Sequence, residues 1–453
     1  MGGFAGYYGQ TLLHPFALTA VLVLGLAVLV LSRRFALVPL LIAATTIPMA
    51  QRMVIAGADF TLLRLLLIAY VLRIVFRGEW REFRWNPLDT AIVLWVVSGT
   101  LIMTIHFGTA DAFVNRLGWA YDILLTYFCG RCLLRQWSDL ISLARSSVML
   151  SIPIAAVFLV EWTTQYNLFS VFGGVPEVTR VTEGRLRCQG PFAHPILAGA
   201  FWAALLPLIW TLWNEGRGGR GLTYLGTAAV LAIVFASSSS TSIASVGAAF
   251  VGVALFAFRR DRKAIWIGVI LIAAILHFVI MKQPIWHLMG RLDILGGSTG
   301  WHRFKIFDVF VNHFSEWWLT GHSNPTAWHW FMRDITNQYI LEGLRGGLLT
   351  LCAFLLVLAR AFGNVGKSLA IEEKSGEHPD RVLEWKIWLA GVAILVHAVT
   401  FFGVSYFAQM IILFYLQLAI AGAIGAGLVK EEQLPGEMLR GTARGRQVRR
   451  LAQ

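Results

Sequence analysis

The chain has 453 residues, of which 57% are hydrophobic and 14% are charged, and its mean hydropathy is +0.66. A soluble domain carries about 25% charged residues, so this composition excludes a soluble enzyme, a disordered chain and a disulfide-rich secreted scaffold. The formal net charge of +13 does not indicate a nucleic-acid partner, because the cytoplasmic loops of membrane proteins collect Lys and Arg.

Apolar runs follow one another along most of the chain, and their lengths approach the roughly 20 residues that a helix needs to cross a bilayer. The thirteen runs are 16–32, 35–50, 60–76, 89–106, 117–134, 139–161, 195–213, 222–237, 242–258, 264–281, 339–362, 385–403 and 406–428. The second run is short enough for a re-entrant segment. We therefore predict an all-α polytopic membrane protein with about 12–13 transmembrane helices.

Short basic loops alternate with loops that are not basic, which predicts cytoplasmic and outer sides respectively. Two long segments then fall on the outer side and become the two large loops. The predicted units are N-terminal helices (1–161), a first outer loop (162–194), central helices (195–281), a second outer loop (282–338), C-terminal helices (339–428) and a basic cytoplasmic tail (429–453).

Both outer loops carry arginines, although topology does not favour arginine on that side. Arg185 and Arg187 lie in the first loop, and Arg303 lies in the second. One explanation is an anionic ligand such as a phosphate or a diphosphate, since the guanidinium group binds such oxygens in pairs. The other is ordinary salt bridging with acidic residues of the same loops.

The segment 303–318 of the second loop has its apolar residues on one side at helical spacing, so we predict an amphipathic helix at the outer interface. Arg303 lies near the middle of that apolar side. It either extends to the aqueous side or meets an anion. Tryptophans alternate with histidines around this helix, which suits either stacking on sugar rings or an interfacial aromatic belt; they include Trp301, Trp328 and Trp330.

The two loops resemble those of the O-antigen ligase and O-antigen polymerase superfamily. In the second loop the resemblance lies in Trp301-His302-Arg303, the amphipathic helix, Leu319-Thr320-Gly321-His322, Thr336-Asn337-Gln338-Tyr339-Ile340 and Gly346-Gly347-Leu348. In the first loop it lies in the segment from Arg185 to Pro195. The similarity covers about residues 180–350.

This resemblance implies a GT-C-like membrane glycosyltransferase of the bacterial inner membrane whose active site faces the periplasm. Its donor and acceptor would be glycans linked to undecaprenyl pyrophosphate, and its products O-antigen or exopolysaccharide. Membrane lipid, chain-length regulators and flippases are the implied partners. Two positions depart from the pattern: Thr336 replaces the histidine that marks the ligases, and Ser239-Ser240-Thr241-Ser242 lacks the arginine of a Ser-Arg pair.

The first departure favours a polymerase of lipid-linked repeat units over a ligase that transfers glycan to lipid A core. A transporter or flippase of lipid-linked sugars is the alternative from another class. A transporter concentrates its polar groups near mid-membrane, whereas the unusual charges of this chain concentrate in the two outer loops.

The predicted chemistry requires cations for a departing diphosphate and a base for the acceptor hydroxyl. Arg187 and Arg303 are the first candidates for the diphosphate, followed by Arg185 and by Arg64 within a predicted span. The base candidates are Asp334, His322, His302 and Glu183. The sugar-binding candidates are Trp301, Trp328, Trp330, Asn337 and Tyr339. We expect neither a metal nor another cofactor, because the outer loops contain no dense carboxylate cluster.

Overall fold

The computed structural model describes residues 9–55, 57–182, 184–281, 284–287, 299–374 and 380–428. The helices before the first large loop are α1 (Pro15–Val30), α2 (Val38–Thr46), α3 (Leu62–Phe76), α4 (Pro87–Phe107), α5 (Ala110–Leu133) and α6 (Trp137–Thr164). Those between the two large loops are α7 (Pro195–Trp210), α8 (Gly216–Ser237), α9 (Ser240–Ala254) and α10 (Arg262–Ile275). The remaining helices are α11 (Thr299–Asn312), α12 (Phe314–Trp317), α13 (Gln338–Glu373), α14 (Arg381–Thr400) and α15 (Gln409–Gly425).

Every one of the thirteen predicted apolar runs overlaps a helix of the structure. Among the described residues, seven helices are long and apolar enough to cross a membrane, one of them running from Ser240 to Ile280, and α1 and α15 are shorter apolar helices. The prediction of an all-α, multi-pass membrane protein is confirmed. The second run forms the nine-residue helix α2, which is too short to span a bilayer.

Two short antiparallel hairpins lie outside the helices. The first pairs β1 (Arg52–Ile55) with β2 (Ala58–Thr61), and the second pairs β3 (Val181–Thr182) with β4 (Arg185–Leu186). The second hairpin belongs to the first large loop and carries Arg185 on β4.

Helix α7 occupies the centre of the bundle, where 89% of its apolar stretch is buried. It packs against α6, α8, α9, α14 and α15. Small residues allow this close approach: a Cβ atom on Gly199 would lie 2.3 Å from the Ser237 hydroxyl and 2.4 Å from the Ser242 hydroxyl. The packing places the turn between α8 and α9 directly beside the first residues of α7.

Four of the connections that were predicted to lie outside meet at one end of the bundle. The Gln409 side chain donates hydrogen bonds to the carbonyl groups of Pro191, at 2.8 Å, and Ile47, at 3.4 Å. The backbone N–H of Gln338 donates to the Phe401 carbonyl at 2.9 Å. Residues of both large loops therefore share this end with the α2–β1 connection and with the turn between α14 and α15.

The amphipathic segment of the second loop is helical, as predicted, but it begins at Thr299 and is interrupted at His313. Phe310 and Trp317 are buried and stack on each other with ring centroids 4.0 Å apart. Phe314 and Trp318, which the prediction placed on the same apolar side, are exposed. The interruption explains the difference, because α12 does not continue the helical periodicity of α11.

Helix α13 is broken at Gly346 and Gly347, and the second loop fills the break. In a regular helix the N–H of Leu348 would donate to the carbonyl of Leu344. Here the Leu348 N–H donates to the Trp318 carbonyl at 2.7 Å, and the Leu344 carbonyl accepts from the His322 N–H at 2.8 Å. Both groups would otherwise be unsatisfied inside an apolar environment.

We predict that Gly347→Ala lowers the thermal midpoint of the purified protein, whereas Gly363→Ala on the same helix does not. Gly347 has a φ of +65°, and a Cβ atom there would lie 2.5 Å from the Leu319 carbonyl oxygen. The strain costs roughly 1–3 kcal/mol. A Cβ atom on Gly363 meets nothing within 4 Å. Equal midpoints for the two variants would contradict the described path of the second loop.

Candidate functional site

The turn between α8 and α9 is the position at which the two large loops approach the same backbone. Helix α9 begins at Ser240, and the Ser239 hydroxyl caps it by accepting the N–H of Ser242. The N-terminus of a helix carries a partial positive charge and attracts anions. Hydroxyl groups and a helix dipole are therefore available at this turn.

The first loop is hydrogen-bonded to this turn and to α6. The N–H of Cys188 donates to the Ala236 carbonyl of α8 at 3.1 Å. The buried carboxylate of Glu161, near the end of α6, accepts the N–H groups of Gln189, at 3.0 Å, and Gly190, at 2.9 Å. It also accepts the Thr179 hydroxyl at 2.9 Å. Glu161 thus holds the segment that precedes the β3–β4 hairpin and the residues that follow Arg187.

Arg187 is half-buried, and Arg185 is exposed on β4. The N–H of Arg187 donates to the Arg180 carbonyl at 3.1 Å. Burial and the positive charge of Arg187 lower the pKa of His194 to about 4. The positive charge of Arg187 therefore acts on His194, the residue that caps the N-terminus of α7.

Arg303 connects the second loop with the same turn. Its Nη2 atom donates a hydrogen bond to the Thr241 hydroxyl at 2.7 Å, and the side chain is half-buried. Thr241 also packs against the turn between α14 and α15, since a Cβ atom on Gly403 would lie 2.6 Å from it. The second loop thus brings a guanidinium group to the segment Ser239-Ser240-Thr241-Ser242, which contains no arginine of its own.

Two of the predicted bases are neighbours in the structure. The Nε2 atom of His302 lies 3.2 Å from the Asp334 carbonyl oxygen. A carbonyl oxygen only accepts, so Nε2 is the donor, and in the neutral ring Nδ1 is then the nitrogen with the lone pair. His322 makes the same type of contact with the Asn324 carbonyl, and its ring stacks on Trp328. The fourth candidate, Glu183, lies outside the described residues.

The predicted sugar-binding tryptophans differ in their surroundings. Trp330 is 74% exposed and Trp301 is 51% exposed, with the Lys305 ammonium 5.6 Å from the Trp301 ring. Trp328 is covered by the stacked imidazole rings of His313 and His322. Trp301 and Trp330 therefore offer more free ring surface than Trp328 does.

Asn337 and Tyr339 make contacts that explain them structurally. The Asn337 side chain caps α13 by accepting the N–H of Ile340 at 3.1 Å, and the residue is 3% exposed. The Tyr339 hydroxyl donates to the Ala398 carbonyl at 2.8 Å, and its ring packs between α13 and α14. Both side chains therefore make hydrogen bonds within the protein.

Arg64 has an acidic partner inside the bundle. Its Nε and Nη2 atoms donate to the two Asp122 carboxylate oxygens at 2.8 and 2.7 Å, and its Nη1 donates to the Asp59 carbonyl. Such a paired geometry satisfies the guanidinium group within the protein. Arg64 thus differs from Arg187 and Arg303 in that its guanidinium group forms an ion pair with Asp122 inside the bundle.

Sequence reasoning noted the serine-rich turn only for its missing arginine, and it did not select Thr241 or Glu161. A carboxylate at the end of an apolar run is an available signal for Glu161. The contact of Thr241 with Arg303 joins residues 62 positions apart and has no local signal. Among the described residues, no group of three or more His, Cys, Asp or Glu side chains is arranged to hold a metal ion.

No known protein family matches the chain, and no curated protein is similar to it. The superfamily resemblance therefore rests on the short loop motifs alone.

We predict that wild-type stability falls as the pH decreases from about 6.5 to about 4, and that His194→Asn reduces this dependence. The pKa of His194 is about 4 in the folded protein and 6.5 ordinarily, so the unfolded chain binds more protons in this window. Asparagine keeps the N-terminal cap that His194 provides to Ile196. Thermal midpoints measured across this range test the prediction, and identical slopes for both proteins would refute it.

Proposed function

We propose that this chain is a membrane glycosyltransferase of GT-C-like architecture that polymerises undecaprenyl diphosphate-linked repeat units on the outer face of the bacterial inner membrane. The observation that carries the proposal is the hydrogen bond from Arg303 to Thr241. It brings a second-loop guanidinium group to the turn against which the first loop, with Arg187, is hydrogen-bonded. In this proposal, Arg187, Arg303 and the N-terminus of α9 together bind the diphosphate of the lipid-linked donor.

In this reaction the bond between the anomeric carbon and the diphosphate oxygen breaks, and that carbon forms a bond to an acceptor hydroxyl oxygen. The electron pair of the broken bond remains on undecaprenyl diphosphate. Arg303 and Arg187 stabilise its increasing negative charge, as fixed cations do at a low-dielectric site. A polymerase of this class binds a lipid carrier within the membrane and a sugar at the membrane surface. The apolar helices of this chain suit the lipid, and the exposed aromatic residues of the second loop suit the sugar.

The proton of the acceptor hydroxyl passes to a base. We assign this role to His302, because its Nε2 proton is held by the Asp334 carbonyl and its Nδ1 lone pair is left to accept. His302 also precedes Arg303 on α11, so base and diphosphate cation come from one rigid helix. The exposed rings of Trp301 and Trp330 provide stacking surfaces for the sugars next to this base.

We expect Arg303→Ala and Arg187→Ala to abolish elongation of purified lipid-linked repeat units while leaving membrane insertion intact. Arg303→Lys should also fail, because lysine cannot make paired contacts with two phosphate oxygens. The matched control is Arg333→Ala, which removes an exposed arginine of the same loop. Normal polymer from both alanine variants would refute the assigned roles.

Analysis of accumulated products in a deletion strain distinguishes the proposed reaction from its alternatives. Loss of a polymerase leaves single repeat units on the lipid, and loss of a ligase leaves long lipid-linked chains. Loss of a flippase leaves units on the inner leaflet. Either of the last two results would overturn the proposal.

We predict that His302→Ala lowers the elongation rate about 10²–10⁴-fold, the usual contribution of a general base. Added imidazole should restore part of the rate, because it replaces the missing proton acceptor. The comparison is His322→Ala, whose ring stacks on Trp328 and lies in a different turn. A rate unaffected by His302→Ala would exclude His302 as the base.

A further inference from the structure

A second cationic group lies at the break in α13, away from the α8–α9 turn. Arg345 immediately precedes Gly346 and Gly347 and is half-buried. Its side chain has no hydrogen bond or ion pair to any other described residue. A half-buried guanidinium group in an apolar environment requires an anion or a route to water.

The acidic residue one turn before Arg345 already accepts two hydrogen bonds. Glu342, one turn before Arg345, accepts the indole N–H of Trp95 at 2.8 Å and the side-chain amide of Gln338 at 2.6 Å. Glu342 and Arg345 are three positions apart on α13, but the two make no ion pair within 4.0 Å. Their charges interact only at longer range. Glu342 therefore leaves the donors of Arg345 available.

A second guanidinium group acts on the same carboxylate. Arg116 of α5 is 7% exposed, interacts electrostatically with Glu342, and lies 5.5 Å from the ring of Trp119. Arg116 and Arg345 therefore both interact electrostatically with the Glu342 carboxylate.

Arg345 lies on α13 close to the place where the amphipathic helices α11 and α12 pack. Gly343 lies against Phe310 and Trp317 of the amphipathic helices, since a Cβ atom on Gly343 would lie 2.6 Å from Phe310. Arg345 follows two residues later, about 3 Å further along the helix axis. Amphipathic helices lie at the boundary between lipid headgroups and acyl chains, which is also where the phosphates of lipids and lipid-linked glycans lie. The hydrogen bonds from the second loop hold the backbone of α13 on both sides of this position.

We propose that Arg345 binds the diphosphate of a second lipid-linked glycan. This inference rests on the proposed function, because a polymerase must hold two such substrates at once, a donor and an acceptor. The Arg303–Thr241 position binds the diphosphate that departs, and the Arg345 position binds the one that stays attached. The ligand chemistry is that of a lipid-bound phosphate, which an anionic phospholipid shares.

The test counts undecaprenyl diphosphate molecules bound to the full-length protein by native mass spectrometry, after reconstitution in phosphatidylcholine nanodiscs. We expect two molecules on the wild type, one on Arg345→Ala, one on Arg303→Ala and none on the double variant. Arg360→Ala is the matched control, since Arg360 is an exposed arginine on the same helix beyond the break. This variant should bind two molecules of undecaprenyl diphosphate. Unchanged thermal midpoints establish that the variants are folded.

Three outcomes overturn the inference or its basis, and they are distinguishable. The second site would be refuted if Arg345→Ala still bound two molecules of undecaprenyl diphosphate. It would also be refuted if the wild type bound one molecule that only Arg303→Ala removed. Either result leaves the proposed function standing. Displacement of the Arg345-dependent molecule by excess phosphatidylglycerol would show a general phospholipid site instead. No bound diphosphate on any protein would refute the proposed function itself.

Discussion

The exchange of backbone hydrogen bonds at the break in α13 is the constraint on which the outer end of this protein depends. Inside a bilayer every N–H and carbonyl group must find a partner in the protein. Gly346 and Gly347 separate Leu344 from Leu348, and residues 318–322 of the second loop satisfy both groups. The loop therefore has a defined position against the bundle. The amphipathic helices, with Phe310 and Trp317 packed on Gly343, take their position from this contact.

A loop held in this way can deliver a charged side chain to a distant element. Arg303 reaches Thr241 at the start of α9, while the first loop reaches Ala236 at the end of α8. The turn between these helices lacks an arginine of its own, and the second loop supplies one. This arrangement makes the proposed diphosphate site a composite of three chain segments. Its geometry then depends on Glu161 for the first loop and on the α13 break for the second.

The arginines of the protein fall into two groups with different physical roles. Arg64 and Arg131 are paired with Asp122 and Asp89 and stabilise the bundle internally. Breaking such a buried pair typically costs about 3–5 kcal/mol. Arg303 bonds to a neutral hydroxyl, and Arg345 interacts at longer range with a carboxylate that already has two donors. The two proposals use the arginines of this second group.

The sequence by itself determined the helical, multi-pass class and the positions of the helices, because hydropathy over about 20 residues depends only on local composition. It also identified the amphipathic segment and the arginines of both loops. Tertiary structure alone decided which of these residues meet: it paired Arg64 with Asp122, placed Tyr339 between helices and brought Arg303 to Thr241. Contacts between residues tens to hundreds of positions apart depend on how helices pack, and neither periodicity nor charge pattern along one segment contains that information.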